Sequence, residues 1–340
     1  MSKISYSKSL ILAFAIPLLL IACSQQTSEV HLTGPTMGTT YNVKYIETDT
    51  ITPAELQKKI DNELVNINQL MSTYINDSEL SRFNQWDNTE AFPLSTQTLF
   101  VMTEAKRLGE LSGGLLDVTV GPLVNLWGFG PEARPEKIPT AADILAARER
   151  VGLNRLILNE SSASKTHPDL YVDLSTIAKG YGVDRIAEIL QQHNIHNYLV
   201  EVGGEMRLSG EKSNGKNWRV AIEKPLTTER AIERIISVGN NAIATSGDYR
   251  NYYEDEGVRY SHLINPQTGT PISHNLVSVT VVAPSSMTAD GLATALNVMG
   301  KEKALILAEK YDLAVLLITK EKQGFKEYTS SMFDQLVTVH

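Results

Sequence analysis

The sequence predicts an α+β fold with largely antiparallel sheets flanked by helices, and three observations predict it. Extended segments follow one another across short glycine turns, as in residues 30–33 with 40–46 and 198–202 with 205–208. Such short connections join antiparallel strands, whereas parallel strands need a long crossover. Helical segments are few and are set between runs of strands rather than alternating with every strand. No strand–helix unit carries the dinucleotide glycine fingerprint, so a Rossmann domain is not expected.

The chain opens with a targeting segment. Lys3 and Lys8 precede an apolar run from Leu10 to Ala22 that is too short to span a bilayer. Leu20-Ile21-Ala22-Cys23 resembles the lipobox of bacterial lipoproteins, in which the cysteine is lipidated and becomes the mature N-terminus. Cys23 is the only cysteine of the chain, which fits an anchor and excludes an intrachain disulfide. The expected organisation is a signal peptide over 1–22, the lipidated Cys23 and a polar tether over 23–29, and one folded body over 30–340. That body is expected in the cell envelope on a membrane surface. Ser24 after the cysteine leaves the choice of membrane open.

Within the body, strands 30–33 and 40–46 are separated by Gly34-Pro35-Thr36-Met37-Gly38-Thr39, and Gly-Pro with a second glycine is turn chemistry. Thr52-Pro53-Ala54-Glu55 supplies a cap, a proline at the first helical position and a capping-box acid. The stripe Leu56, Ile60, Leu64, Ile67 and Met71 continues that helix toward Tyr74. A second helix over 95–111 ends at Gly113-Gly114. The apolar stretch Leu115-Leu116-Asp117-Val118 holds one carboxylate, which needs backbone or ligand partners if buried, and an aromatic loop with Trp127 and Phe129 follows. Thr140 caps a short helix to Arg150. Segments 155–158 and 170–173 read as a hairpin leading into Asp173-Leu174-Ser175-Thr176-Ile177-Ala178-Lys179-Gly180. There Ser175 or Thr176 can cap a helix whose free N–H groups, with Lys179, suit an anion. Further strands are expected over 218–222, 235–238, 242–245, 277–282 and 313–318, with helices over 288–298 and 302–311.

Composition is ordinary for a globular protein, and the formal net charge of -8 with no basic cluster argues against a nucleic-acid partner. If the ligand is a phosphate, positive potential has to be local. Asp290 and Thr294 stand at i and i+4, one helix face, and as hard oxygen donors suit Mg²⁺; capping by Thr288 with Asp290 answering the helix dipole is the plainer reading. His262, in a loop of turn residues, is near neutral in its ordinary pKa and suits a base or hydrogen-bond donor.

Taken in order, these pieces resemble the ApbE family of flavin-transferring lipoproteins. The resemblance runs through the lipobox, Thr36-Met37-Gly38-Thr39, Met71-Ser72-Thr73-Tyr74, Asp117 to Leu123, Asp173 to Gly180, Val202-Gly203-Gly204-Glu205, Ser246-Gly247-Asp248-Tyr249, His262 to Gly269, and Ala289-Asp290 through Thr294. It implies a two-lobed fold with FAD in the cleft and Mg²⁺-dependent transfer of FMN from FAD to a threonine of another protein, with release of AMP. Target types in the family are membrane subunits of sodium-pumping NADH:quinone reductase and of the Rnf complex. It further implies FAD contacts at Met37, Tyr74, Leu115, Leu116, Asp117, Asp173, Lys179, Gly180 and Leu263, Mg²⁺ ligands at Thr176, Asp290 and Thr294, and His262 as the catalytic residue. Asn265, Gln267 and Gly291 depart from the commoner Asp, basic residue and Ala of relatives. Alternative readings are an Mg²⁺-dependent FAD pyrophosphatase giving FMN and AMP, and a lipid-anchored flavin-binding protein without turnover.

Overall fold

The computed structural model describes residues 28–130, 137–225, 232–247, 252–255 and 258–340. The signal peptide, Cys23, Asp248 and Tyr249 lie outside them. Its centre is an eight-stranded sheet with the spatial order Glu29–Thr36, Thr39–Ile46, Tyr198–Val202, Glu205–Ser209, Ala242–Gly247, Leu276–Ala283, Ala314–Glu321 and Gly324–Thr329. Every neighbouring pair is antiparallel.

One face of the sheet carries the helices. Helix Pro53–Met71 has the expected capping box of Thr52 and Glu55 and buries the expected stripe of Leu56, Ile60, Leu64, Ile67 and Met71. Helices Thr96–Leu111, Ala178–Gln192 and Ser286–Met299 join it over one apolar core that runs from Ile67 and Leu99 to Val279 and Leu317. The opposite face is covered by a three-stranded sheet of Val220–Glu223, Ile232–Ser237 and Thr338–Val339 around Trp218, Ile236 and Phe333. A smaller core of Leu123, Trp127, Ala147 and Ile264 forms a second lobe beside the sheet end. The cleft opens between the two lobes.

Several elements differ from the sequence expectation. The first turn is only Met37-Gly38, both at positive φ (47° and 70°), the conformation that two-residue hairpins require. Gly34 and Pro35 belong to the strand, where Pro35 is tolerated at a sheet edge. Gly34 is needed because the ring of Tyr41 would stand 2.6 Å from a Cβ there. Segment 156–158 pairs with Ser162–Lys165, not with 170–173. Instead, the N–H of Asp173 donates to Val118 O, which ties the Asp117 and Asp173 loops together. Short helices Glu79–Gln85 and Gly121–Leu126 stand where loop was expected, because polar or glycine-rich short segments carry little periodic signal.

Candidate active site

Stretches far apart in sequence meet at one cavity of about 390 Å³. Its walls include Tyr74, Leu115, Leu116, Asp117, Asp173, Thr176, Lys179, His262, Leu263, Asp290 and Thr294. Of the expected ligand contacts, Met37 and Gly180 do not line it. Met37 lines an adjoining cavity of about 490 Å³ with Ile67, Met71 and Tyr74, and this second cavity shares Tyr74, Asp173 and Lys179 with the first. Gly180 sits where two helices cross: a Cβ there would lie 2.4 Å from Ser286 O. Its role in the fold is close backbone approach, the plainer of the readings that a first-turn glycine invites.

The caps of the two central helices also differ from expectation. The cap of Ala178–Gln192 is Ile177, which offers no side-chain bond, rather than Ser175 or Thr176. The cap of Ser286–Met299 is Ser285, not Thr288, and the Thr288 hydroxyl donates to Glu104 at 2.7 Å. The two helices instead cap each other. Asp290 Oδ2 accepts from Gly180 N at 3.0 Å. Asp184 accepts from Ser285 Oγ, Ser286 N and Met287 N at 2.8, 3.0 and 2.9 Å, and Arg207 pairs with it at 2.8 Å. Each carboxylate thus satisfies orphan donors at the partner helix's start. The expected result of Asp184→Ala is a loss of roughly 2–4 kcal/mol in unfolding free energy, because several buried donors and one arginine lose their acceptor together. Denaturant unfolding of both proteins measures it, and a change under 1 kcal/mol would show that solvent replaces the clamp.

Inside the cleft, Lys179 Nζ stands 2.9 Å from Glu205 Oε1 and 3.7 Å from Asp290 Oδ1. Burial alone would pull the Lys179 ammonium down; Asp290 and Glu205 outweigh it and push it up. Burial pushes Glu205 up to about 7, with Lys179 opposing and Asp290 adding to the rise. Asp290 is raised by burial against the pull of Lys179 and the Gly180 N–H. Two carboxylates around one ammonium leave the site short of positive charge. Two buried oxygens there, Thr176 Oγ1 and Glu205 Oε2, have no hydrogen-bond partner among the described residues, which is a cost unless a ligand or ion completes them. Thr176, Asp290 and Thr294 bring hard oxygen donors to the same cavity wall, a chemistry that suits Mg²⁺ with phosphate oxygens and water filling the remaining positions. Among the described residues no group of three His, Cys, Asp or Glu stands together to hold a metal ion.

The second lobe presents His262. It follows the hairpin Tyr252–Asp255 and Val258–Ser261, which is pinned by stacked rings: Phe129–Tyr253 at 5.3 Å, Tyr253–Tyr260 at 5.1 Å and Tyr260–Trp127 at 5.5 Å. The edge of Phe129 meets the His262 ring at 6.4 Å, and Trp127 Nε1 donates to Gly269 O at 2.8 Å. The aromatic loop, whose role was open in the sequence, therefore positions the histidine lobe. Asp117 accepts from Thr119 N and Oγ1 at 2.7 and 2.6 Å, and burial raises its pKa. Asn265 Oδ1 accepts from Gln267 N at 2.9 Å, which shapes the loop itself, and Gln267 Nε2 donates to Gly113 O at 2.9 Å, which ties the loop to the Gly113-Gly114 turn. At Gly291 a Cβ would stand 2.6 Å from Leu108 Cδ1, so the glycine lets helix Thr96–Leu111 close on the Asp290 helix.

Sequence reasoning noted Glu205 only as a neighbour of Gly203-Gly204, and passed over Asp184. Asp184 carried a signal, a carboxylate among the buried Val183, Ile186 and Ala187 of one helix; Glu205 shares its strand face with Arg207 and Ser209, and no apolar pattern marked it.

The fold and cleft define a class: an antiparallel α+β protein whose interlobe site joins an oxygen-rich, lysine-bearing pocket to an apolar one, suited to a phosphorylated ligand with a planar ring. The ApbE family model matches residues 37–317. A Vibrio cholerae protein named FAD:protein FMN transferase is 56% identical over 324 residues, 95% of this chain and 97% of that one. A Haemophilus influenzae protein of the same name is 50% identical over 336 residues, 96% of each. Among solved structures, the flavin transferase ApbE from Vibrio cholerae superposes with a TM-score of 0.85 at 55% identity, covering 91% of this chain and 99% of that one. The apo flavinyl transferase ApbE of Pseudomonas stutzeri also superposes at 0.85, with 38% identity and 91% and 97% coverage. This chain belongs to the ApbE family.

Proposed function

We propose that this protein transfers FMN from FAD to a threonine hydroxyl of a target protein. The observation that carries the reading is the pair of joined cavities, one apolar around Met37 and Tyr74 and one polar around Lys179, Asp290 and His262. That division matches a dinucleotide whose rings flank a charged pyrophosphate. The threonine oxygen attacks the phosphorus on the riboflavin side. The Oγ–P bond forms, the P–O bond to AMP breaks, and AMP leaves with the bridging oxygen. His262 takes the hydroxyl proton. Lys179 and the start of the Ala178–Gln192 helix hold the phosphates and oppose their charge.

Thr176, Asp290 and Thr294 would hold Mg²⁺, which supplies further neutralisation of the charge building on phosphorus and on AMP. Met37, Tyr74, Leu115, Leu116, Asp117, Asp173 and Leu263 bind and orient FAD, and Gly180 supports that wall from the helix crossing. Lipidated Cys23 would hold the body on the periplasmic face of the inner membrane, beside membrane targets of the sodium-pumping NADH:quinone reductase and Rnf type. Among the described residues no helix is long and apolar enough to cross a membrane.

The test mixes protein lacking residues 1–23 with FAD, Mg²⁺ and the flavin-carrying subunit of a sodium-pumping NADH:quinone reductase, and records the subunit's intact mass. The expected result is a gain of FMN less water that chelator abolishes and that replacement of the acceptor threonine removes. AMP and FMN free in solution without the gain would instead identify a pyrophosphatase, and bound FAD with neither product a carrier.

A further inference from the structure

A third cavity, of about 580 Å³, lies on the far side of the Gly203-Gly204 turn from Lys179. Its walls are Thr39 and Thr40, the strand Val220–Glu223, and Thr245 with Gly247. Thr245 and Gly247 also line the polar cavity of the active site, so the two spaces meet at the end of strand Ala242–Gly247. None of the residues assigned above to FAD or Mg²⁺ lines this groove. It touches the site at Thr245 and Gly247 and shares no residue with the set proposed for FAD and Mg²⁺.

The partition between groove and site is thin. Gly203 has φ +61°, and a Cβ there would meet Thr39 Cγ2 at 2.9 Å and Lys179 Cδ at 3.3 Å, while nothing stands within 4 Å of a Cβ on Gly204. The groove's other wall is a sheet edge. In the three-stranded sheet, Val220–Glu223 is the outer strand, and among the described residues only Ile232–Ser237 pairs with it. Val220 and Ile222 turn into the core, and Ala221 is exposed. An outer strand offers a row of backbone donors and acceptors to another extended chain. Glu201, at the groove's floor, is already committed to Asn42 Nδ2 at 2.6 Å and Gly204 N at 2.7 Å. With Glu223 it makes the groove unfavourable to an acidic segment.

We propose that this groove seats the acceptor protein: an extended, non-acidic segment adds as a strand to Val220–Glu223 and carries its threonine over Gly203-Gly204 and Gly247 into the cleft. The assignment rests on the transferase reading, since it supplies that reaction's second substrate.

Two measurements test it, using the quinone-reductase flavin subunit named above. First, its Thr→Ala form, which cannot be modified, is bound to the protein while backbone hydrogen exchange is followed. Protection of amides 220–223 is the expected result; binding without it, or no binding, overturns the groove. Second, Ala221→Trp fills the groove from an exposed position. It is expected to raise the KM for the subunit at least tenfold, with kcat at saturating subunit and FAD affinity near wild type and with Ala221→Ser behaving as wild type. An unchanged KM overturns the proposal. If amides 220–223 are protected and yet wild-type protein transfers no FMN, the groove stands and the transferase reading falls.

Discussion

Replacing His262 with alanine is expected to lower FMN transfer by about 10²–10⁴-fold, the usual contribution of a positioned proton acceptor, while FAD affinity stays within a few-fold of wild type. The difference follows from the geometry. In the proposed reading FAD would be held mainly by the main lobe and the Leu115–Asp117 stretch, whereas His262 stands on the second lobe across the cavity. Single-turnover AMP release, with FAD titrated into wild type and variant, reads both effects. Transfer at the wild-type rate by His262→Ala would remove the histidine from the mechanism. Loss of FAD binding in step with activity would make it a binding residue instead.

Much of this arrangement was legible in the sequence, for reasons that particular residues make plain. The helix Pro53–Met71 was readable because its cap, proline and five-residue stripe all point to one answer. Strand Tyr198–Val202 was readable because the strand that follows it in sequence, Glu205–Ser209, is also its partner in the sheet. The loops expected to bear ligand stood out as ordered motifs, and the structure gathers Asp117, Asp173, Lys179, His262, Asp290 and Thr294 around one cavity. What sequence could not supply was contact between distant elements. Ser175 and Thr176 looked like caps because local chemistry favours them, yet the helix start is served by Asp290, 110 residues further on. The clamp from Asp184 to Ser285, Ser286 and Met287 spans a similar distance. No local pattern announces such a bond; a lone acid on an apolar face announces only that one must exist. The aromatic loop was ambiguous for the same reason, since the stacking partners of Trp127 and Phe129 lie on a hairpin more than a hundred residues later.

Asp290→Asn is expected to lower transfer by at least about 10²-fold without unfolding the protein, the order of loss found when one fixed electrostatic stabiliser is removed. Asparagine keeps the volume and still offers an oxygen to Gly180 N, so the crossing of the two helices is preserved. What it removes is the one carboxylate of the proposed metal set, leaving Thr176 and Thr294 with no formal charge to hold a divalent ion. Mg²⁺ titrated calorimetrically into the FAD complex should show weaker binding, and excess Mg²⁺ should not restore the rate. An unchanged Mg²⁺ titration would sink the ligand assignment. A second readout, taken without metal, follows from Glu205. Burial, with Asp290 adding to it, raises this carboxyl from 4.5 to about 7. A raised carboxyl binds its proton more tightly in the folded state, so its contribution is complete below pH 4.5 and is lost as pH rises through about 7. Wild-type protein should therefore lose stability across that window. Removing the Asp290 charge takes away one of the two forces that raise Glu205 and leaves the opposing pull of Lys179 at 2.9 Å. The slope of unfolding free energy against pH should accordingly flatten in the variant, an effect that tests the Lys179–Glu205–Asp290 cluster whether or not the metal assignment holds.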